Sequence, residues 1–154
     1  MTSQVSINSP LGPLALTSDG EFLIGLDIGT RVSQPSSDAV IELATQQLDE
    51  YFAGTRTTFD LPLKARGTEF QQSIWSALQH IPYGHTTSYG ELGSAIGKPG
   101  SARAVGGAVG ANPLPIVIPC HRVLASDRRI TGYSGGEGIP TKEKLLGLEN
   151  ISYR

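Results

Sequence analysis

A short segment bounded by proline and glycine, Pro62–Gly67, divides this chain of 154 residues into two parts. Helices and strands rarely run through such a segment, because proline cannot donate a backbone hydrogen bond and glycine favours turns. The segment therefore predicts a linker between two lobes, residues 1–66 and residues 67–154. The total length is in the range of ~100–200 residues usual for one domain, and it also allows a small lobe joined to a larger one.

Composition excludes several classes of protein. Hydrophobic residues make up 38% of the chain, enough to build a core, while 17% charged residues and a net charge of −2 argue against disorder. No apolar run approaches the ~20 residues needed to cross a bilayer, and residues 1–12 lack a secretion signal. Cys120 is the only cysteine, which excludes an internal disulfide, and with three scattered histidines we expect no metal site.

Charge is distributed unevenly between the two lobes. Residues 1–66 carry a net charge of −4, whereas residues 67–154 carry a net charge of +2. If one part meets a polyanion it is therefore the second, although nucleic-acid binders often show a stronger basic balance.

The first lobe has the pattern of a small sheet with one packed helix. Two strand-like apolar runs, Leu14–Ser18 and Phe22–Ile28, flank Asp19-Gly20, a strong signal for a β-hairpin. Asp38 predicts the cap of a helix, and we expect a further short strand over Thr57–Leu61. The apolar positions at helical spacing are Val40, Leu43, Ala44, Leu48, Tyr51 and Phe52. No catalytic constellation is visible in this lobe.

The second lobe has the pattern of a mainly helical domain. The capping boxes Thr68-x-x-Gln71 and Ser88-x-x-Glu91 each predict the start of a helix. A tight turn of glycine and proline separates the second of these helices, Tyr89–Ile96, from a third. Two short helices joined in this way are a candidate helix-turn-helix, although a plain structural pair of helices is commoner.

The third helix of this lobe, Ala102–Gly110, for which we expect Ser101 to be the cap, contains three glycines. Each costs about 1 kcal/mol relative to alanine in a helix interior. The small side chains permit close approach of another surface, and Arg103 is the only long polar group in the segment. Two interpretations stay open: tight packing against a neighbouring helix, or a helix pressed against DNA with Arg103 reaching into the base stack.

The most reactive group of the chain follows a proline-rich apolar run. Ile116–Ile118 is typical of a buried strand, and Cys120 and His121 follow it closely. Thiolate is the reactive form of cysteine, and a nearby histidine or arginine promotes it. Adjacent side chains on a strand point to opposite faces, so these two cooperate only if the chain turns here or a water bridges them. An inert buried cysteine is the alternative.

The sequence Ile118-Pro119-Cys120-His121-Arg122-Val123 resembles the active-site signature of the O6-alkylguanine-DNA alkyltransferases. The resemblance extends from about Gly67 to Ile151 in matching order and spacing, and it covers the first lobe more loosely. Other matching segments are Ser88–Leu92, Ala102–Gly106, Asn112-Pro113, Tyr133–Gly136, Lys142–Leu146 with Glu149, Ser9–Gly12 and Leu48–Gly54. The resemblance implies an α+β fold: a small, ribonuclease H-like sheet-plus-helix lobe, then a mainly helical, winged-helix-like lobe with a helix-turn-helix.

The resemblance implies DNA repair by one irreversible transfer of a methyl or other alkyl group from O6-alkylguanine, and from O4-alkylthymine, to Cys120, with no cofactor. His121, working through a water, would take the thiol proton, and Glu149 would orient His121, with the logic of nucleophile, base and orienter. Asn112 would tie the turn before Cys120 to the helix-turn-helix. Tyr89 would donate a proton toward N3 of the flipped guanine and contact the target phosphate. We expect the sulfur to rest as an anion in a slot shaped for one purine.

The same resemblance assigns a base pocket and a DNA surface. The carbonyls of Cys120 and Val123 would accept from the exocyclic amine of the base, and Ser134 would contact O6. Arg103 would fill the gap left in the duplex by the extruded base. The apolar walls for the base would be Val109, Pro115 and Tyr133. The residues small enough to let the helix lie in the minor groove are Ala102, Ala104 and Gly106.

The partner implied is duplex DNA and not a membrane. The resemblance further implies a monomer that can cluster on DNA, in the cytoplasm or, in a eukaryote, in the nucleus. One departure from the family pattern is Asp127-Arg128-Arg129, in a loop where a glycine is usual. Both arginines could add contacts to DNA phosphates or be merely solvated, and we expect them to be solvated.

Three other functions stay open from the residues. The first is that of a lesion-binding relative of the alkyltransferases, which flips a damaged base without repairing it. The presence of Cys120 argues against this function. A helix-turn-helix regulator would need a more basic recognition helix. A thiol hydrolase would leave the helix of alanine and glycine with Arg103 unexplained.

Overall fold

The computed structural model describes residues 2–154 and divides them into two compact units. The first unit ends at Arg66 and the second begins at Gly67. A small sheet with one helix makes up the first and a mainly helical domain the second, which confirms the predicted α+β class. No helix in the described part of the chain is long and apolar enough to cross a membrane.

Three antiparallel strands form the sheet of the first unit. They are β1 (Ser3–Ile7), β2 (Leu14–Ser18) and β3 (Leu23–Ile28), in the order β1-β2-β3. The predicted hairpin between β2 and β3 is confirmed. Gly20 has a φ of 97°, in the left-handed region that favours glycine, and the Asp19 carboxylate accepts two backbone N–H groups of the turn. The residue pattern of β1 does not predict a strand, because polar residues outnumber apolar ones in it.

Helix α1 (Ala39–Phe52) packs against all three strands of this sheet. Its predicted cap is confirmed, because Asp38 Oδ1 accepts from the backbone N–H of Ile41 at 2.9 Å. Leu43, which we assigned to the apolar face, is exposed. The buried hydrophobic residues of α1 are Val40, Ile41, Ala44, Leu48 and Tyr51.

The predicted strand over Thr57–Leu61 is wrong. The buried Gln47 of α1 holds this segment instead, because its amide donates to the Asp60 carbonyl at 3.0 Å and accepts from the Asp60 N–H at 2.8 Å. A side chain thus satisfies both backbone groups of Asp60, which needs no neighbouring strand. Backbone pairing with β3 begins only at Pro62.

Four α-helices, one 3₁₀ helix and one parallel pair of short strands make up the regular structure of residues 67–154, all of which are described. The helices are α2 (Glu69–Leu78), α3 (Tyr89–Ala95), α4 (Ala102–Gly110) and α5 (Ile139–Leu148), and the strands are β4 (Thr87–Ser88) and β5 (Val123–Leu124). The capping box at Thr68 is confirmed with both of its hydrogen bonds, and Ser88 caps α3.

Helices α3 and α4 form the predicted helix-turn-helix. Gly93 allows the tight turn, because a Cβ there would lie 2.7 Å from Ser101 Oγ and 3.0 Å from the Lys98 carbonyl oxygen. Ser101 starts α4 but does not cap it, so that prediction is wrong; its hydroxyl donates to the Lys98 carbonyl at 2.5 Å. The indole N–H of Trp75 in α2 donates to the Ala108 carbonyl at 2.8 Å and fixes α4 against α2.

The predicted buried strand over Ile116–Ile118 is also wrong, although all three residues are buried. The chain turns here: the Ile118 N–H donates to the Leu114 carbonyl at 2.8 Å. Ile116 has a φ of 75°, a conformation that β-branched residues rarely adopt. The turn leads into a 3₁₀ helix, Cys120–Arg122, so Cys120 and His121 do not lie on opposite faces of a strand.

Candidate active site

Cys120 begins the 3₁₀ helix and is 5% exposed. Asn112 holds the turn before it, because its Nδ2 donates to the Ile118 carbonyl at 2.8 Å and its Oδ1 accepts from the Leu114 N–H at 2.9 Å. The backbone N–H of Asn112 in turn donates to the carbonyl of Val109 in α4. Asn112 therefore connects the turn before the cysteine, through its side chain, to α4, through its backbone.

His121 and Glu149 form a fully buried pair. Nε2 of His121 lies 2.6 Å from Oε2 of Glu149, and both side chains are 0% exposed. A carboxylate only accepts, so Nε2 carries a proton, and Nδ1 is the acceptor nitrogen of the neutral ring. Nδ1 is buried and has no hydrogen-bond partner among the described residues. Burial lowers the pKa of His121, although Glu149 acts in the opposite direction, so the ring is neutral near pH 7.

Arg122 completes the environment of Glu149, and the sequence analysis assigns it no role. Its Nε donates to Glu149 Oε1 at 2.8 Å and its Nη2 to Oε2 at 3.0 Å, a bidentate pair. The backbone N–H of Gly84 also donates to Oε1, at 3.1 Å. These four donors, with His121 included, fix the carboxylate, which in turn fixes the imidazole. The only sequence signal for this role was the place of Arg122 in the signature.

Burial raises the pKa of the Cys120 thiol. Hydrogen bonds with Asn112 and Tyr133 and the positive charge of Lys142 lower it again, but by less. The expectation that the sulfur rests as an anion is therefore wrong, and the thiol holds its proton at neutral pH. A base has to remove that proton before the sulfur can attack.

Lys142 is a second buried cation that the sequence analysis leaves without a role. Its Nζ donates to the Val123 carbonyl at 2.6 Å and, at the longer distance of 3.4 Å, to Thr131 Oγ1. Burial lowers the pKa of Lys142 to about 8, and the Cys120 sulfur partly opposes this shift when it is an anion. The Val123 carbonyl, which we expected to accept from a base, thus already has one partner.

A cavity of about 370 Å³ opens beside Cys120. This volume lies within the ~300–1,000 Å³ usual for small-molecule sites. Its lining residues come from α3, α4, the 3₁₀ helix and the loop before α5, and they are Tyr89, Gly106, Val109, Gly110, Cys120, Gly132, Tyr133 and Ser134. Pro115 and Val123 are buried and are not among the lining residues of the described chain.

Two hydroxyl groups at the cavity already have partners. The Tyr89 hydroxyl lies 2.6 Å from Thr131 Oγ1, and either oxygen can be the donor. Ser134 Oγ donates to the Gly110 carbonyl at 3.0 Å. The described residues contain no group of histidine, cysteine and carboxylate side chains that could hold a metal ion.

Helix α4 exposes its first turn, and Ala102, Arg103 and Ala104 all lie on the surface. Packing within the protein does not explain its glycines. A Cβ at Gly107 would meet no atom within 4 Å, and a Cβ at Gly106 would lie 3.9 Å from the Tyr89 ring. The interpretation as tight helix–helix packing therefore loses its basis.

Arg128 is not merely solvated, so that expectation is wrong. Its backbone takes the position usual for glycine, with a φ of 69°. Its guanidinium donates to Thr86 Oγ1 at 3.2 Å and to the Ser152 carbonyl at 2.5 Å. The side chain therefore ties the loop to the chain on both sides of it. Arg129 is exposed, and its guanidinium forms an ion pair with Asp127 at 3.3 Å.

Two family descriptions match the chain, one over each unit. Residues 69–151 match the DNA-binding domain of 6-O-methylguanine DNA methyltransferases, and residues 5–65 match the ribonuclease-like domain of the same proteins. Among curated proteins, the methylated-DNA–protein-cysteine methyltransferase of Mycobacterium tuberculosis is 47% identical, over 94% of this chain and 90% of its own length. The constitutive enzyme of Bacillus subtilis is 51% identical, over 72% of this chain and 67% of its own length.

Solved structures of methyltransferases are similar to this chain as well. The O6-methylguanine methyltransferase of Mycobacterium tuberculosis superposes with a TM-score of 0.87 at 45% identity, over 97% of this chain and 93% of that one. The structure of Mycobacterium tuberculosis OGT in complex with DNA superposes with a TM-score of 0.86 at 48% identity, over 95% and 91% of the two chains.

Proposed function

The chain belongs to the 6-O-methylguanine DNA methyltransferase family, and on this premise we propose that it repairs DNA by moving the alkyl group of O6-alkylguanine to its own Cys120. The alkyl group is methyl or larger, and O4-alkylthymine is a second substrate. The product is a thioether, which water does not readily cleave, and the chain has no second cysteine to take the group onward. Each molecule therefore acts once, without a cofactor.

One observation carries this proposal: the buried thiol of Cys120 borders a cavity of about 370 Å³, and the next residue is a neutral histidine backed by a carboxylate. The thiol is protonated at rest, so the reaction needs a base. His121 offers Nδ1 for this purpose, and the thiol proton reaches it through a water. Glu149 stabilises the imidazolium that forms, as the orienting acid does in other nucleophile–base pairs.

The leaving group needs a proton as well, because guanine is a poor leaving group as an anion. Tyr89 borders the cavity and donates to N3 of the base. Ser134 contacts O6, and the carbonyls of Cys120 and Val123 accept from the exocyclic amine. The apolar walls come from Val109 and Tyr133, which both line the cavity, while Asn112 holds the turn that carries Cys120.

DNA reaches this cavity through α4. The O6 atom of guanine lies inside the base stack, so the base has to be rotated out before sulfur can attack its alkyl carbon. Ala102, Ala104 and Gly106 let α4 lie in the minor groove, and Arg103 fills the gap in the duplex. The surface position of that first turn and the absence of an internal reason for the glycines favour this arrangement. The protein acts as a monomer, can cluster on DNA and works in the cytoplasm.

A lesion-binding protein that flips the base without transfer is the alternative function. Such a protein needs no acceptor thiol and no base beside it. The burial of the Glu149 carboxylate with His121 next to Cys120 would then cost free energy without serving a function. Transfer is therefore the better account of this site.

Intact-mass measurement tests the proposal. The protein is mixed with a duplex oligonucleotide that carries one O6-methylguanine, and in parallel with the same duplex carrying guanine. We expect a gain of one methylene per protein molecule with the lesion only, and no gain for Cys120→Ala. Binding of the lesion duplex without any mass gain in the wild-type protein would support the lesion-binding alternative instead.

A further inference from the structure

A chain of three polar side chains runs from the cavity into the interior of the second unit. Tyr89 borders the cavity, its hydroxyl lies 2.6 Å from Thr131 Oγ1, and Thr131 Oγ1 lies 3.4 Å from Lys142 Nζ. Lys142 is 1% exposed. Thr131 does not line the cavity, and it belongs to none of the roles assigned above.

The donor direction along this chain is set from its buried end. A protonated lysine only donates, so Thr131 Oγ1 accepts from Lys142. A hydroxyl that accepts a charge-assisted hydrogen bond becomes a stronger donor through its own proton. The Thr131 proton is then directed at the Tyr89 oxygen, and the proton of Tyr89 is left to point into the cavity. If the direction of this hydrogen bond were reversed, the Tyr89 hydroxyl would donate its proton to Thr131 Oγ1, and that proton would not point into the cavity.

We propose that Thr131 is a positioning residue that presents the Tyr89 proton to the leaving base and replaces that proton during the transfer. This inference rests on the proposed function, because it concerns the same reaction. It adds to that function a residue that touches neither the base nor the sulfur, and it gives the buried Lys142 a task in the chemistry.

The step balances in atoms and charge. The sulfur–carbon bond forms, the bond from the alkyl carbon to O6 breaks, and its electron pair stays on guanine. Tyr89 gives its hydroxyl proton to N3, and Thr131 gives its own proton to the Tyr89 oxygen. Lys142 passes one ammonium proton to Thr131. Thiolate and ammonium are thereby consumed together, neutral guanine leaves, and solvent later reprotonates the amine.

Single-turnover transfer rates of two variants test the proposal. Thr131→Val keeps the branched shape and removes the hydroxyl, whereas Thr131→Ser keeps the hydroxyl. Each is compared with wild type on O6-methylguanine and on its 3-deaza analogue, in which a C–H replaces N3 and cannot accept a proton. We expect Thr131→Val to react about tenfold more slowly than wild type on O6-methylguanine. A tenfold change in rate corresponds to the loss of one hydrogen bond in the transition state. Thr131→Ser should restore most of the rate.

The 3-deaza substrate separates a positioning role from a structural one. Without N3 the Tyr89 proton has no use, so wild type and Thr131→Val should react at the same rate. Equal slowing of Thr131→Val on both substrates would overturn the proposal, because it would place Thr131 in base binding or thiol activation. An unchanged rate on O6-methylguanine would overturn it too. If wild-type Cys120 gains no methyl group at all, the proposed function itself has failed.

A second measurement checks that the variant keeps its active site. Alkylation of Cys120 by iodoacetamide involves the thiol and its base but no leaving guanine. Thr131→Val and wild type should therefore be alkylated at the same rate. Slower alkylation of the variant would show that removal of the hydroxyl disturbs the thiol, which contradicts a role confined to Tyr89.

Discussion

The two units of the protein differ in the side chains that they bury. In the first unit, as far as its residues are described, the buried polar side chains are Ser18 and Gln47, neither of which carries a charge. In the second unit the side chains of His121, Arg122, Lys142 and Glu149 are all buried, close to the buried thiol of Cys120.

A buried charged side chain lowers the free energy of unfolding unless the charge is paired. Even a paired charge is often less stabilising than well-packed apolar side chains in the same place. The first unit follows that rule, with an apolar core and uncharged amides and hydroxyls. The second unit buries charges at two places: the carboxylate of Glu149 accepts from three residues at once, and the ammonium of Lys142 donates to the Val123 carbonyl. The difference separates a part with an uncharged core from a part whose buried charges surround the proposed nucleophile.

Removal of Glu149 should give the largest change in stability. Glu149→Ala leaves two buried donors, His121 and Arg122, without their acceptor, and we expect the free energy of unfolding to fall by ~3–5 kcal/mol. Urea denaturation measures it. The matched control is Glu50→Ala in the first unit, whose ion pair with Arg56 is partly exposed and should contribute only ~0–1 kcal/mol. Equal losses from the two changes would break the comparison between the units.

A cavity in the first unit should lower stability without touching the chemistry. Leu48 is fully buried in α1, and Leu48→Ala should lower the free energy of unfolding by ~2–5 kcal/mol. Below the unfolding temperature each folded molecule should still accept one methyl group at the wild-type rate. A slower transfer by folded Leu48→Ala would show that the first unit takes part in catalysis.

Acid should destabilise the protein through His121. Burial lowers its pKa in the folded state below 6.5, so between that folded-state pKa and 6.5 the unfolded chain binds more protons. Stability should therefore fall as the pH drops through 6.5, by up to ~1.4 kcal/mol per pH unit. Urea denaturation between pH 7 and pH 5 measures the slope. His121→Gln should lack this component, and an equal slope in that variant would contradict the assignment.

The smallest effect on stability is expected at Arg103. Its side chain is exposed on α4, so Arg103→Ala should change the free energy of unfolding by less than ~0.5 kcal/mol. The transfer rate on lesion-containing duplex should fall by a larger factor than the affinity for that duplex. Arg129→Ala, which removes another exposed arginine, is the control for general loss of charge. Equal effects of the two changes on the transfer rate would remove the special role of Arg103.

Signals that act within a few residues were sufficient to predict local structure. Asp19-Gly20 bonds within its own turn, and Asp38 and Thr68 bond within the first turn of their helices. Such contacts depend on sequence spacing alone. The hairpin, α1 and α2 therefore follow from the sequence.

Predictions failed where a distant partner decides the structure. Thr57–Leu61 was predicted to be a strand, but Gln47 of α1 supplies the hydrogen bonds of the Asp60 backbone. Arg128 was expected to be solvated, yet it finds partners at Thr86 and Ser152. Spacing along the chain gives no information about such pairs.

The residues of the candidate site also divide into those that the sequence pointed to and those whose place only the structure shows. Its cysteine and histidine stand out in the sequence, and the family resemblance supplied Glu149 and Tyr89. Arg122 and Lys142 were present in the matching segments but received no role. A charged side chain is solvated by default, and only the structure places these two in the interior.

The account depends on the sulfur of Cys120 being the acceptor. Trypsin cleaves after Arg103 and Arg122, so the fragment 104–122 contains the only thiol of the chain. After incubation with duplex O6-methylguanine, mass spectrometry of this fragment should show one added methylene, in an amount equal to the lesion consumed, with fragmentation placing it on Cys120. Loss of the methyl group from the DNA while this fragment keeps its original mass would contradict the account.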